Sequence, residues 1–418
     1  MLTNFELSQF LISVVALLIM AHSVGYAFER MALPRVIGEI CGGFLLGPSV
    51  LGLVFPDVAG WLVPDGLLNA KLLSAIYWLG LILLMFTAGF RAQRNFEADD
   101  YRLSGFLLVG ATVVPFSAGW AVTQWIDLSG YSGPQGNAVT LSLIVAIAVA
   151  VTSIPVISRI FLDLGMIKTR FAKIVLAAST AQDVLLWAVF AVATSLAATA
   201  SPSLMDAGVA AARILIFTAA VLILGPPLLR YTNRLRINFV LKASRLGYTL
   251  VWCLVIVSLA AALNVNVIFG AFMAGIVLGG MPAREFEDAK EQISSFGLGF
   301  FVPIFFAIVG LRVDLPGAFD PILFFGFLVF STVIEGVCVF AAMRLARCSP
   351  QSSWHFAVAM NTRGGPGIVL ASVAFDFGLI DERFFVALVL VAITTSLASG
   401  AWFRHAIAKN LPLMDKSN

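Results

Sequence analysis

The sequence predicts an all-α membrane protein of thirteen transmembrane helices, arranged as two inverted-topology six-helix repeats with crossed discontinuous helices. Three observations carry this prediction. The chain is 60% hydrophobic and only 12% charged, with mean hydropathy +0.98, whereas a soluble domain is about 25% charged. Apolar runs close to the roughly 20 residues needed to cross a hydrocarbon core of about 30 Å recur along its length. Two of these runs, seven spans apart, are each interrupted by proline with glycine or hydroxyl residues.

Taken in order, the runs cover 9–28, 33–53, 72–90, 103–125, 137–160, 171–198, 207–230, 246–264, 265–281, 294–312, 320–342, 352–374 and 383–405. The first follows an acidic start, MLTNFELSQ, and no small-residue cleavage site comes after it, so it reads as a retained span. The eighth and ninth are divided only by Asn264 and Asn266.

Basic residues test the count. Of the 26 Lys and Arg residues, 21 fall in connections on one side, Lys71, Arg213, Arg312 and Arg383 fall on the other, and Arg363 lies within a span. That bias places the N-terminus outside and the C-terminus in the cytoplasm. It also accounts for the basic stretch RYTNRLRINFVLKASR at 230–245, for which contact with anionic lipid is a second reading. A net charge of +3 indicates no nucleic-acid partner.

The chain also repeats itself. GGFLLG at 42–47 is echoed by GAFMAG at 270–275, and MFTAGFR at 85–91 by FAIVGLR at 306–312. Partners seven spans apart run in opposite directions, which is the pattern of inverted repeats. Spans one to six form one repeat and eight to thirteen the other, with span seven between them.

The stretch from Ile174 to Ala200 contains a single ionisable side chain, Asp183. A carboxylate in the middle of a span is costly, by about 3 kcal/mol on insertion scales, and such acids commonly mark ion pathways or proton relays. Ser179 and Thr180, four and three residues earlier, share its helix face, and Gln182 adds an amide beside it. The bland alternative is a structural acid paired with a base on another helix.

Binding sites in transporters with inverted repeats form where equivalent helices are broken near the midplane. The fifth span carries AVTSIPV, with Thr152, Ser153 and Pro155; the twelfth carries NTRGGPG, with Asn361, Thr362, Arg363, Gly364, Gly365, Pro366 and Gly367. Proline removes a backbone donor and glycine tolerates irregular backbone. Arg363 is a cation at membrane depth that needs pairing or hydration, and Asp183 and Glu335 are its two candidate partners. Glu335 reads equally well as a structural or a functional acid. Cys41, Cys253, Cys338 and Cys348 show no metal spacing and read as packing residues, and His22 reads as a packed or pore-side histidine rather than a ligand. No phosphate-binding glycine motif or nucleophile elbow is present, so neither an enzyme nor a bound cofactor is expected.

LPRVIGEICGGFLLGPSVLG, VTSIPVISRIFLDLG, the STAQD helix and NTRGGPGIVLA, in this order, resemble the cation:proton antiporter-2 family of sodium/proton and potassium/proton exchangers, over nearly the whole chain. The resemblance implies the sodium/proton antiporter fold and a homodimer. It implies a scaffold formed by 1–100 and 240–318, an ion-transporting core formed by 101–200 and 319–408 that moves like an elevator, a linker helix at 201–239 and a short cytoplasmic tail at 409–418. Asp183 matches the family's ion-binding aspartate. Gln182 falls where electrogenic members carry a first aspartate, so the Gln-Asp pair resembles the potassium/proton branch related to glutathione-gated efflux systems. Two departures stand out: Glu335 lies near a position where many members have lysine, and the cytosolic nucleotide-binding domain of the efflux branch is not expected after so short a tail.

The expectation is therefore a bacterial inner-membrane antiporter that exchanges protons for K+ or Na+, electroneutrally, with Asp183 shared between proton and cation. Thr152, Ser153, Ser179 and Gln182 would add neutral oxygens, and Arg363, Glu335, Asn361 and Thr362 would balance charge at the helix crossing. The alternatives are a proton-coupled exporter of a small organic anion, using Arg363, and a cation channel or sensor on the same scaffold.

Overall fold

The computed structural model describes residues 3–31, 33–62, 67–94, 101–197, 202–235, 237–409 and 411–414. The long helices, in chain order, are α1 Asn4–Arg30, α2 Arg35–Leu46, α3 Leu67–Arg94, α4 Tyr101–Trp125, α5 Ala138–Ala150, α6 Ile154–Asp163, α7 Arg170–Ser195 and α8 Leu204–Arg234. They continue as α9 Arg245–Ala262, α10 Val267–Gly279, α11 Glu285–Leu311, α12 Pro321–Leu345, α13 Pro350–Met360, α14 Gly364–Asp376 and α15 Glu382–Ala408. No β-strand occurs among the described residues, only an isolated bridge between Ser132 and Ile380.

Eleven segments among these residues are long and apolar enough to cross a membrane. The other two expected spans take different forms: the ninth is the 13-residue α10, and the twelfth is two half-helices, α13 and α14, of 11 and 13 residues. The turn before α10 falls where the two asparagines stand. Asn264 adopts φ 52°, and the side chain of Asn266 accepts from the N–H groups of Ile268 and Phe269 to cap α10. The helix bearing Asp183 starts at Arg170 and ends at Ser195, so the expected end at Ala200 lies outside the described residues, as do 410 and 415–418 of the tail.

The chain divides into two compact units: Met1–Ala27 with Gly38–Arg94 and Ala207–Val313, and Phe28–Ile37 with Asn95–Asp206 and Asp314–Asn418. The first is held by backbone-to-backbone contact at two glycine pairs. A Cβ on Gly43 of α2 would overlap the Ala307 carbonyl of α11, and one on Gly310 the Ile40 carbonyl; likewise Gly275 of α10 meets Phe86 of α3, and Gly89 meets Phe272. Small residues let membrane helices pack this closely where no hydrophobic force draws them together. The two crossings exchange under the internal repeat, so packing equates Gly43 with Gly275. The sequence echo instead aligns Gly47 with Gly275, displaced by four residues, about one helical turn.

The second unit packs α5 between α4 and α7, and α12 against α13 and α4. An aromatic cluster closes one end of it: Phe171 lies 4.6 Å from Phe356 and 5.7 Å from Phe161, and Phe161 lies 5.6 Å from Phe403, tying α6, α7, α13 and α15 together. The polar groups of this unit converge where α5 gives way to α6 and α13 to α14.

Candidate functional site

Breaking a helix leaves its last carbonyls without donors. At the C-terminus of α5 three such carbonyls are met by side chains from elsewhere. Arg363 donates through Nε to Ala148 (3.3 Å) and through Nη2 to Val149 (3.1 Å), and Gln182 Nε2 donates to Ala150 (2.5 Å). The C-terminus of α13 is served in return: Thr152 Oγ1 donates to Met360 O (2.7 Å), Ser399 Oγ to Val358 O (3.1 Å), and the Ser153 N–H to Thr362 O (2.5 Å). Each break is thus completed by residues of the other, or of a neighbouring helix.

The two following half-helices start under tight constraint. Ser153 caps α6, accepting from the Val156 N–H, and Pro155 stands in the first turn, where its missing N–H costs nothing. Gly364 opens α14 at φ 32°, with Ser153 Oγ only 2.7 Å from where a Cβ would sit, so a side chain there is excluded twice over. Its N–H donates to Ser396 Oγ (3.1 Å), and the Arg363 N–H to Thr395 Oγ1 (3.4 Å).

Arg363 pairs with Glu335. Nη2 lies 2.8 Å from Glu335 Oε2, the two side chains being 2% and 0% exposed. Nη1 donates to Asn361 Oδ1 at 3.1 Å, and Thr152 Oγ1 approaches Glu335 Oε1 at 3.4 Å. Asn361 is fixed in turn by Nδ2 bonds to Thr332 O and Ala357 O. The guanidinium is therefore surrounded by one carboxylate, one amide oxygen and the two carbonyls that end α5. The partner that sequence left open is Glu335, and no bond between Arg363 and Asp183 exists among the described residues.

Asp183 has a different setting. It is 5% exposed, and its Oδ1 is buried without a hydrogen-bond partner. Further buried oxygens lack partners on the elements around the crossing, among them Gln182 Oε1, Thr362 Oγ1 and Thr112 Oγ1. Gln182 is held by its nitrogen alone, which also donates to Ala111 O (2.9 Å). That carbonyl is free because Pro115, four residues on, has no N–H to offer it, and α4 absorbs the fault as a π turn at Val109–Val113. Ser179 Oγ points to Met360 Sδ at 3.7 Å, whereas Thr180 is satisfied by its own helix at Leu176 O.

All the candidate site residues of the sequence, Thr152, Ser153, Ser179, Gln182, Asp183, Glu335, Asn361, Thr362 and Arg363, lie in the second unit. Sequence reasoning missed Thr112, Thr395 and Ser396. The hydroxyl triplet at 394–396 in an otherwise apolar helix was the available signal for the last two; for Thr112 it was Pro115 inside a span.

The comparisons with known proteins point the same way. The family model described as "Sodium/hydrogen exchanger, transmembrane" matches residues 14–409. Among curated relatives, the Na(+)/H(+) antiporter NhaS4 of Synechocystis sp. is 27% identical, covering 93% of this chain and 94% of its own. The Na(+)/H(+)-K(+) antiporter GerN of Bacillus cereus is 26% identical over 95% and 96%, and the K(+)/H(+) antiporter 1 of Saccharomyces cerevisiae 26% over 95% and 46%. The fold matches the sodium proton antiporter MjNhaP1 of Methanocaldococcus jannaschii with TM-score 0.68 at 15% identity, over 96% of this chain and 97% of that one. With all but its ends matched by the family model, the chain belongs to the sodium/hydrogen exchanger family, a family of transporters and not of enzymes.

Proposed function

We propose that this protein is a secondary antiporter exchanging protons for a monovalent cation, K+ or Na+, with Asp183 as the shared carrier. The observation that carries this reading is the contrast between a buried carboxylate oxygen with no protein partner at Asp183 and a guanidinium at Arg363 already matched by Glu335. A carboxylate at membrane depth without a counter-charge must take one from outside, as a proton or as a cation. Because both compete for the same oxygens, loading one releases the other, and exchange is coupled.

A hard monovalent cation takes oxygen ligands. Gln182 Oε1 and the hydroxyls of Thr362, Thr112 and Ser179 are the neutral candidates around the crossing; Thr152 and Ser153 act mainly by closing the two breaks against each other. With glutamine at 182 and the Glu335–Arg363 pair internally neutral, one carboxylate carries the cycle, which makes the exchange one-for-one and electroneutral. The unit that holds Asp183 is the moving part of an elevator-type cycle, the other the dimer scaffold. The protein resides in a bacterial inner membrane with its N-terminus outside and its C-terminus in the cytoplasm.

Export of an organic anion through Arg363 is disfavoured because its charge is matched by Glu335 and four of its five N–H donors are engaged by Glu335, Asn361 and two carbonyls. The test is proton flux across proteoliposomes on addition of K+, Na+ or Li+, with the membrane potential clamped at several values. Flux that depends on cation, is indifferent to potential and is absent from Asp183→Asn supports the proposal. Flux that shifts with potential defeats electroneutrality, and an active Asp183→Asn defeats the assignment of the carrier.

A further inference from the structure

A second place in the molecule carries unused chemistry. In the first unit a groove of about 750 Å³ runs between α8 and the end of α10, lined by Leu222, Pro226, Leu229, Ile276 and Val277 at one end and by Arg230, Asn233 and Arg234 at the other. Its shape follows from the sequence. α8 carries Pro226 and Pro227 in its interior, which loosen the helix at that point. Gly225, just before them, lets α8 approach Val277 of α10, and the groove opens beyond. From Leu222 to Arg234 it follows the helix for about 18 Å.

The polar end is charged and unmatched. Arg230 and Arg234 stand four residues apart on one helix face, both exposed, and neither makes an ion pair or hydrogen bond among the described residues. Like charges at this spacing repel, and no bonded carboxylate among the described residues relieves them. The C-terminal carbonyls of α10 would repel an anion, but Lys290, 6% exposed, covers them, donating to Gly279 O (2.7 Å) and Met281 O (3.1 Å). Glu285 on the rim is the one opposing charge in the lining. Between the arginines lies Asn233, whose Oδ1 is buried and has no hydrogen-bond partner, an acceptor that wants a donor.

We infer that this groove holds an anionic phospholipid whose headgroup bears hydroxyls. The phosphodiester sits between the two guanidinium forks, which suit it bidentately, a headgroup hydroxyl donates to Asn233 Oδ1, and an acyl chain lies along Leu222, Pro226, Ile276 and Val277. Positive charge on connecting segments is explained by topology alone; two unpaired arginines facing a carbon-floored groove with an orphan acceptor between them are not.

The test is native mass spectrometry of the detergent-purified protein titrated with phosphatidylglycerol, phosphatidylcholine or phosphatidylmethanol of identical chains; the last has the same single charge but no hydroxyl. Wild type should retain phosphatidylglycerol at roughly thirtyfold lower concentration than phosphatidylcholine, at about 1 kcal/mol per arginine. Arg230→Gln/Arg234→Gln should abolish that preference while the protein stays monodisperse, and Arg245→Gln, in the same basic stretch but outside the groove, should keep it. Asn233→Leu should equalise phosphatidylglycerol and phosphatidylmethanol. Equal retention of phosphatidylglycerol and phosphatidylcholine, an unaffected double variant, an equal loss with Arg245→Gln, or displacement by inorganic phosphate would each overturn the lipid site. Equal retention of phosphatidylglycerol and phosphatidylmethanol by wild type would overturn the role of Asn233.

Discussion

Two acids lie deep in the second unit, and their surroundings differ in kind. Glu335 on α12 is fully buried and charge-paired, with Arg363 at 2.8 Å from one oxygen and the Thr152 hydroxyl, whose proton goes to Met360 O, 3.4 Å from the other. Asp183 on α7 is nearly as buried, yet Oδ1 meets no donor. Both residues look alike in sequence, single acids in apolar runs. What separates them is whether the fold supplies a counter-charge, and an acid left without one is available for an exchangeable ion.

The sharpest way to break this comparison is to neutralise each acid in turn. Asp183→Asn should fold and stay dimeric or monomeric as the wild type does, but lose cation-driven proton flux by roughly a hundredfold or more, a loss of about 3 kcal/mol or more in transport. Glu335→Gln should act first on stability. It strands a buried guanidinium, and breaking such a pair by removing one partner costs about 3–5 kcal/mol, which thermal unfolding in detergent will register. Glu335→Leu/Arg363→Met should recover only part of that loss, because the carbonyls of Ala148 and Val149 then lose their donors.

Gln182→Leu comes next in size. Removing the donor shared by Ala111 and Ala150 leaves two buried carbonyls unmatched, and about 1–3 kcal/mol of stability should go with it. If flux survives at a reduced rate while cation preference changes, the amide oxygen is a ligand; if only stability changes, Gln182 is a clamp.

Much of this site is legible in the sequence. Asp183 stands out because a charge in an apolar run is rare, and the breaks because Pro155, Gly364 and Pro366 cannot continue a regular helix. Three features are not legible there, each for a geometric reason. The partner of Arg363 depends on how α7 and α12 are rotated about their axes, and a single acid on each gives no phase. Thr112 lies inside the π turn before Pro115, where the α-helical period no longer holds, so helical periodicity does not place it. The glycine echo matches letters, whereas packing matches contacts, and in a helix a displacement by one turn leaves the same face forward.

A third acid provides the mild end of the scale. Asp320 caps the same helix that carries Glu335, but from the water side, accepting from the N–H groups of Leu323 and Ile322, both at 3.0 Å, and from the Tyr131 hydroxyl at 2.9 Å. The Leu323 N–H, then the Tyr131 hydroxyl, hold its carboxyl below the ordinary value, and the same bond pushes the Tyr131 phenol up. A carboxyl depressed by folding contributes stability that is complete above its unfolded value and is lost as pH falls through its folded value. Asp320→Ala should therefore flatten the acid limb of the stability curve below about pH 4, and lower stability at neutral pH by about 1 kcal/mol through loss of the cap. Unlike Asp183→Asn, it should leave the cation dependence of transport unchanged.

The most direct test of Asp183 as the single shared carrier is proton release on cation binding, followed with a pH dye in weakly buffered detergent solution. Cation binding to a protonated ligand must release its proton. Wild type should release about one proton per protomer on saturation with the transported cation, Glu335→Leu/Arg363→Met about the same, and Asp183→Asn none. Release that persists in Asp183→Asn, or that vanishes in the Glu335 and Arg363 variant while its fold is intact, would contradict the account.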